Sequence, residues 1–168
     1  MSVRVDIVIV ALNARYSHCA HAARSLMANL GALRERAEII ESDTVVQPFQ
    51  LAAAVAARRP RIVGFSVYLW NAACVRETAL ILRRVSPHTR IVLGGPEIVA
   101  GDDARWIGVA DARVTGEGET AFRDLCAEAL AGGLICEADG SARGVCGAAT
   151  SLADLELPYA LYTADDLA

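Results

Sequence analysis

The feature that most constrains this chain is a regular alternation. Short apolar runs rich in β-branched residues are each followed by a stretch with helical periodicity. Residues 5–12, VDIVIVAL, are apolar but for Asp6, and the run from Ile7 to Leu12 is continuous. A strand apolar on both faces belongs inside a parallel sheet covered on both sides. Residues 17–30 then read as a helix with Ser17 at its N-cap. The pattern repeats as strand 37–43, helix 48–59 opened by Pro48, strand 61–68, amphipathic helix 71–85 and strand 90–95. A weakly helical region, 95–111, leads to a short strand within 111–119 and a helix over 119–132.

Five strand–helix units predict an α/β fold: a flavodoxin-like (Rossmann-like), doubly wound, five-stranded parallel sheet of order 2-1-3-4-5 spanning residues 1–132. After Gly132 the pattern changes. Asp139-Gly140 is a hairpin-type turn signal, and residues 150–168 lack a core pattern. Residues 133–168 are therefore expected to be a short C-terminal β-hairpin and a linker toward a further domain.

Composition excludes several functions. A net charge of -4 gives no electrostatic footprint for nucleic acid. All 16 basic residues are arginine, so neither a P-loop lysine nor a lysine Schiff base is available. The longest apolar runs are strand length, far short of the ~20 residues that span a membrane, and the N-terminus lacks a signal cleavage site. The five cysteines include no CxxC pair, which argues against a zinc site or an iron–sulfur cluster built within the chain. Free thiols in a reducing, cytoplasmic compartment are the expectation. His18 and His21 share a helix face, but no acidic or thiol partner joins them, so no protein metal ligand is assigned.

Ligands of such sheets bind at the carboxyl ends of the strands. The first of these loops, Asn13, Ala14, Arg15 and Tyr16, has no glycine, which removes a dinucleotide or P-loop reading. Strand three ends without the aspartate of a phosphoacceptor receiver. The remaining candidates are Ser66, Val67, Tyr68, Leu69 and Trp70 after strand three; Gly94, Gly95, Pro96 and Glu97 after strand four; and Thr115, Gly116, Glu117, Gly118 and Glu119 around strand five. Together they outline an aromatic lip over a bare-backbone floor, suited to a large, flat, partly apolar ligand with a polar tail. Bland readings stay open: Gly94-Gly95 also fits a plain turn, Ser66 a helix cap, and Glu117 and Glu119 the positive end of a helix dipole.

The segments ALNARYSH, VGFSVYLWN, LGGPE and VTGEGETAF, in that order, resemble the cobalamin-binding N-terminal domain of B12-dependent radical SAM enzymes. The resemblance covers most of residues 5–131. It implies that Gly94 and Gly95 leave room for the nucleotide tail of cobalamin, and that Ser66 sits beside its dimethylbenzimidazole. Tyr68 stands where the family's S-x-L motif has leucine. Cobalamin mutases carry D-x-H-x-x-G after strand one, with the histidine as lower cobalt ligand; Arg15 occupies that position here. A guanidinium has no lone pair to give a metal, so base-off binding without that histidine is expected. The resemblance also implies a downstream radical SAM barrel, with S-adenosylmethionine and a 4Fe-4S cluster, as this domain's partner. Methyl transfer is the commonest chemistry among such relatives; this chain alone would bind and not catalyse. The alternative is a flavodoxin-like interaction or regulatory module with no small-molecule ligand and no room beneath Gly94-Gly95.

Overall fold

The computed structural model describes residues 5–14, 19–100, 104–133, 135–164 and 166. The strands are β1 (Ile7–Asn13), β2 (Ala37–Asp43), β3 (Ile62–Ser66), β4 (Arg90–Gly94), β5 (Ala112–Gly116) and β6 (Arg143–Gly147). They form one parallel sheet in the order β2-β1-β3-β4-β5-β6. The helices are α1 (His21–Ala28), α2 (Pro48–Ala57), α3 (Ala72–Val85) and α4 (Gly118–Leu130).

The apolar runs become the central strands for the expected reason. β1 lies between β2 and β3, and Ile7 through Val10 are at most 1% exposed. Alternate residues serve opposite layers. Val8, Val10, Val63, Phe65, Ile91 and Leu93 pack under α2 and α3. Ile7, Ile9, Ile62, Val92, Ala112 and Val114 pack under α1 and α4. α2 begins with Pro48 and a reciprocal Gln47–Gln50 capping box.

The flavodoxin-like doubly wound class holds, with two differences. Five strands are expected from the sequence, and the sheet has six. The turn at Asp139-Gly140 forms, with Gly140 at φ +81° and Gly140 N–H donating to Glu137 O. Among the described residues the hairpin is a single antiparallel bridge, Cys136 to Ala142. Its second arm continues as β6, parallel to β5. β6 is an edge strand whose positions alternate between half-buried and exposed, so it carries no apolar run. The second difference lies between β4 and β5, where the described residues contain a single 3₁₀ turn, Ala104–Trp106, in place of a helix. Its Trp106 is buried and anchors the crossover.

Candidate ligand cavity at the carboxyl ends of the strands

A cavity of about 640 Å³ opens at the carboxyl ends of β3, β4 and β5, on the face covered by α1 and α4. That volume falls within the ~300–1,000 Å³ typical of small-molecule sites. Its floor is made by strand residues of the α1/α4 layer, Gly64, Val92, Gly94 and Val114, and by Phe122 of α4. β4 and β5 pair only as far as Leu93 opposite Arg113, so the sheet loses its hydrogen bonding where the cavity begins. A smaller cavity of about 230 Å³ lies beside it, at the ends of β1 and β3 where the strand order reverses. Ser66 and Tyr68 line both.

The two adjacent glycines have different jobs. Gly95 is at φ +108°, and a Cβ there would stand 2.5 Å from the Val67 carbonyl oxygen. Its lack of a side chain serves backbone packing between two loops. Val67 N–H donates to Gly94 O at 2.7 Å, and Glu97 N–H donates to Val67 O at 3.2 Å, extending the β3–β4 ladder past the strand ends. Gly94 is in ordinary strand conformation. A Cβ there would meet nothing nearer than Val114, at 3.8 Å, and would project at the cavity. Of the pair, only Gly94 leaves open space.

Of the other residues singled out from the sequence, Gly95, Pro96, Thr115, Gly116, Glu117, Gly118 and Glu119 line the larger cavity. Asn13 and Ala14 line the smaller one. Arg15, Tyr16, Ser17 and His18 lie outside the described residues. Val67 is fully buried behind the rim and Leu69 is 78% exposed above it. Glu97 turns away to pair with Arg105 at 3.1 Å. Gly116 (φ +75°) serves the β5–β6 ends, since a Cβ there would lie 2.8 Å from Gly147 O.

The aromatic lip is held rigidly. The Tyr68 and Trp70 rings stack with centroids 4.5 Å apart and 11° between planes. Trp70 Nε1–H donates to Leu12 O at 3.1 Å. Asn71, 1% exposed, donates to Ser66 O at 3.0 Å and accepts from Tyr68 N–H at 2.9 Å. The Ser66 hydroxyl has no hydrogen-bond partner among the described residues and faces the cavity, so it is not a helix cap.

Sequence reasoning missed the back wall and a half-buried polar hub. Gly64 sits in the middle of β3 because the Phe122 ring packs on it; a Cβ there would be 2.6 Å from the ring. A glycine inside an apolar strand is the signal that could have revealed this close approach. In the hub, Glu41 of β2 accepts from Asn13 Nδ2 at 2.6 Å and Ala20 N–H at 2.5 Å, the two ends of the β1–α1 loop. Its other oxygen pairs with Arg24 at 2.7 Å. Burial opposes the charge of Arg24, but Glu41 and Asp166 raise its pKa above the ordinary value. Residues 156–164 run back along α1: Asn29 exchanges two hydrogen bonds with the Glu156 backbone, and Tyr162 meets His21 and lies under Arg24.

Among the described residues no group of three His, Cys, Asp or Glu side chains could hold a metal ion, and no helix is long and apolar enough to cross a membrane. A parallel six-stranded sheet with a cavity over its strand ends defines a class of small-ligand-binding α/β domain. The family follows from the sequence: a model of the B12 binding domain matches residues 5–126, and the chain belongs to that family of cobalamin-binding domains. It is 36% identical over 74 residues to 2-(S-pantetheinyl)-carbapenam-3-carboxylate methyltransferase of Streptantibioticus cattleyicolor. That match covers 43% of this chain and 11% of the relative, so the chain corresponds to a small part of that protein. In fold it is similar to a crystal structure described as a novel cobalamin-binding protein from Desulfitobacterium hafniense. The TM-score is 0.54 at 17% identity, over 76% of this chain and 59% of that one.

Proposed function

We propose that this chain binds cobalamin base-off and without a histidine lower ligand, as the N-terminal domain of a B12-dependent radical SAM enzyme that is a methyltransferase. The observation that carries the reading is the cavity against Gly94. It provides a deep, largely apolar space at the strand ends, where a displaced nucleotide tail can lie against bare backbone. The residues present fit that group: Gly94 and the floor admit the tail, the Ser66 hydroxyl is free to bond it, and the rigid Tyr68–Trp70 lip borders the mouth. When bound, cobalamin supplies a cobalt centre able to carry a methyl group. The chain's own residues bind and orient it and exclude water from its tail.

Arg15 at the position of the missing histidine supports the absence of that ligand, because an arginine cannot donate a lone pair. His21 is held by Tyr162 at 2.5 Å. The likeness to a carbapenam methyltransferase supports the methyl-transfer assignment. S-adenosylmethionine and the 4Fe-4S cluster belong to the downstream barrel in this proposal. Residues 133–168, including β6 and the strap along α1, lead toward it. The cytoplasmic assignment rests on five cysteines, all free. A ligand-free interaction module called for a filled space beneath the glycines, and the cavity counts against it.

The test is the electron paramagnetic resonance spectrum of the chain loaded with cob(II)alamin. The expected spectrum has no nitrogen superhyperfine splitting on cobalt. A resolved triplet from one axial nitrogen would refute the base-off, histidine-free assignment.

A further inference from the structure

We infer that the strap along α1 is a releasable latch: through one guanidinium, that of Arg24, its docking fixes the start of α1 and the wall of the smaller cavity. The latch is a property of the free chain and does not depend on which ligand the strand ends take.

Arg24 joins the two regions. It is 7% exposed, and two nitrogens of its planar fork are occupied in different directions. Nη1 donates to Glu41 Oε2 at 2.7 Å, and Nη2 donates to Asp166 Oδ1 at 2.5 Å. The Tyr162 ring lies against the same guanidinium, with its centroid 5.2 Å from Cζ. Beyond Glu41, the other carboxylate oxygen accepts from Asn13 Nδ2 and Ala20 N–H. Asn13, Ala20 and His21 all line the smaller cavity. The strap touches that wall directly as well. The Tyr162 hydroxyl meets His21 Nδ1 at 2.5 Å, and the Cys19 side chain, also in the wall, interacts with Tyr162. A guanidinium is rigid and planar, so its two arms cannot be aimed independently. When Asp166 lets go, Arg24 is free to turn, and the bonds that Glu41 makes slacken with it.

The strap itself is held lightly. Its regular structure is a single four-residue 3₁₀ turn, Pro158–Leu161. Among its described residues Pro158 alone is buried, and Leu161 packs partly against the α1/α4 layer. Leu157 and Tyr159 are 54% and 72% exposed. At its start, the fastenings are bonds at an exposed surface, from Asn29 and Arg34 to Glu156. Such a segment opens locally at far lower cost than the core. β1, in contrast, is locked between β2 and β3. A local event at the strap is therefore felt at the strand ends while the sheet stays intact.

The experiment follows two local rates on the whole folded chain. One is alkylation of Cys19 by iodoacetamide, resolved by peptide mass spectrometry. The other is amide exchange of Ala20, His21, Ala22 and Ala23. Asp166→Ala removes one charged partner of Arg24, and both rates should rise about tenfold or more. Leu161→Ala loosens the strap at its apolar anchor without touching Arg24, and should raise the same rates. Amides of α2, in the opposite layer, should stay unchanged in both variants. The double variant Asp166→Ala with Glu41→Ala should rise by less than the product of the two single effects, because both act through Arg24. Unchanged rates at Cys19 and Ala20–Ala23 in both strap variants would overturn the latch. So would α2 exchange rising in step, which would mean global unfolding. A double variant equal to the product of the singles would overturn the part played by Arg24.

Discussion

Gly95 packs against the backbone of Val67 so closely that an added Cβ would stand 2.5 Å from the carbonyl oxygen and 2.8 Å from the amide nitrogen. Its φ of +108° is closed to L side chains as well. Gly95→Ala should therefore destabilise the fold by about 2–3 kcal/mol, read as a lower denaturant midpoint. Gly94→Ala has 3.8 Å of clearance and should change stability by less than about 1 kcal/mol. Equal effects at the two positions would show that the loops do not meet as described.

Glu41 joins both ends of the β1–α1 loop to Arg24. Glu41→Ala leaves Asn13 Nδ2 and the Ala20 N–H without an acceptor. Arg24 keeps Asp166, at 2.5 Å. A loss of about 1–3 kcal/mol is expected. Hydrogen exchange should rise first at Ala20 and the start of α1; an unchanged exchange pattern there would contradict the clamp.

Little of this hub was legible in the sequence. The apolar runs of β1, β3 and β4 declare themselves because they are buried on both faces, and the Gly94-Gly95 pair lies where a cavity opens at the strand ends. Glu41 read only as a polar residue in a short strand, since its partners are 17 to 28 residues away in sequence. β6 read only as an arm of a hairpin, and its place beside β5 was hidden because an edge strand needs no apolar run. The strap over α1 was hidden for a related reason: it is held by side chains such as Asn29 bonding backbone, which leaves no periodic signature. Gly94 and Gly95 looked equivalent because two glycines in a row carry no record of which one leaves open space.

The strap should respond to acid. Hydrogen bonds from the Thr163 backbone and side chain, with the nearby Arg24, hold the Asp166 carboxyl below the ordinary aspartate range. A depressed pKa means that the charged form favours the docked state. Docking is thus fully favoured above pH ~4 and weakens as the pH falls through the depressed value. Limited proteolysis after Tyr162 should accelerate only in that acid range. Faster cleavage on raising the pH from 5 to 8 would have the wrong sign.

Thiol reactivity should rank by burial. Cys126 is fully buried in the α1/α4 layer, and desolvation pushes its pKa far above the ordinary thiol value. Cys146, at the exposed end of β6, is open to solvent. A disulfide reagent should label Cys146 at once and Cys126 only on unfolding. Native-state labelling of Cys126 would mean that the α4 packing is looser than described.

The most direct test is an equilibrium titration of the chain with hydroxocobalamin, followed by the visible spectrum. Saturable conversion to a base-off spectrum is predicted, weakened at least tenfold by Gly94→Leu, whose side chain enters the cavity. No saturable change with a cooperatively folded chain, or equal binding by Gly94→Leu, would contradict a cobalamin tail lying against Gly94.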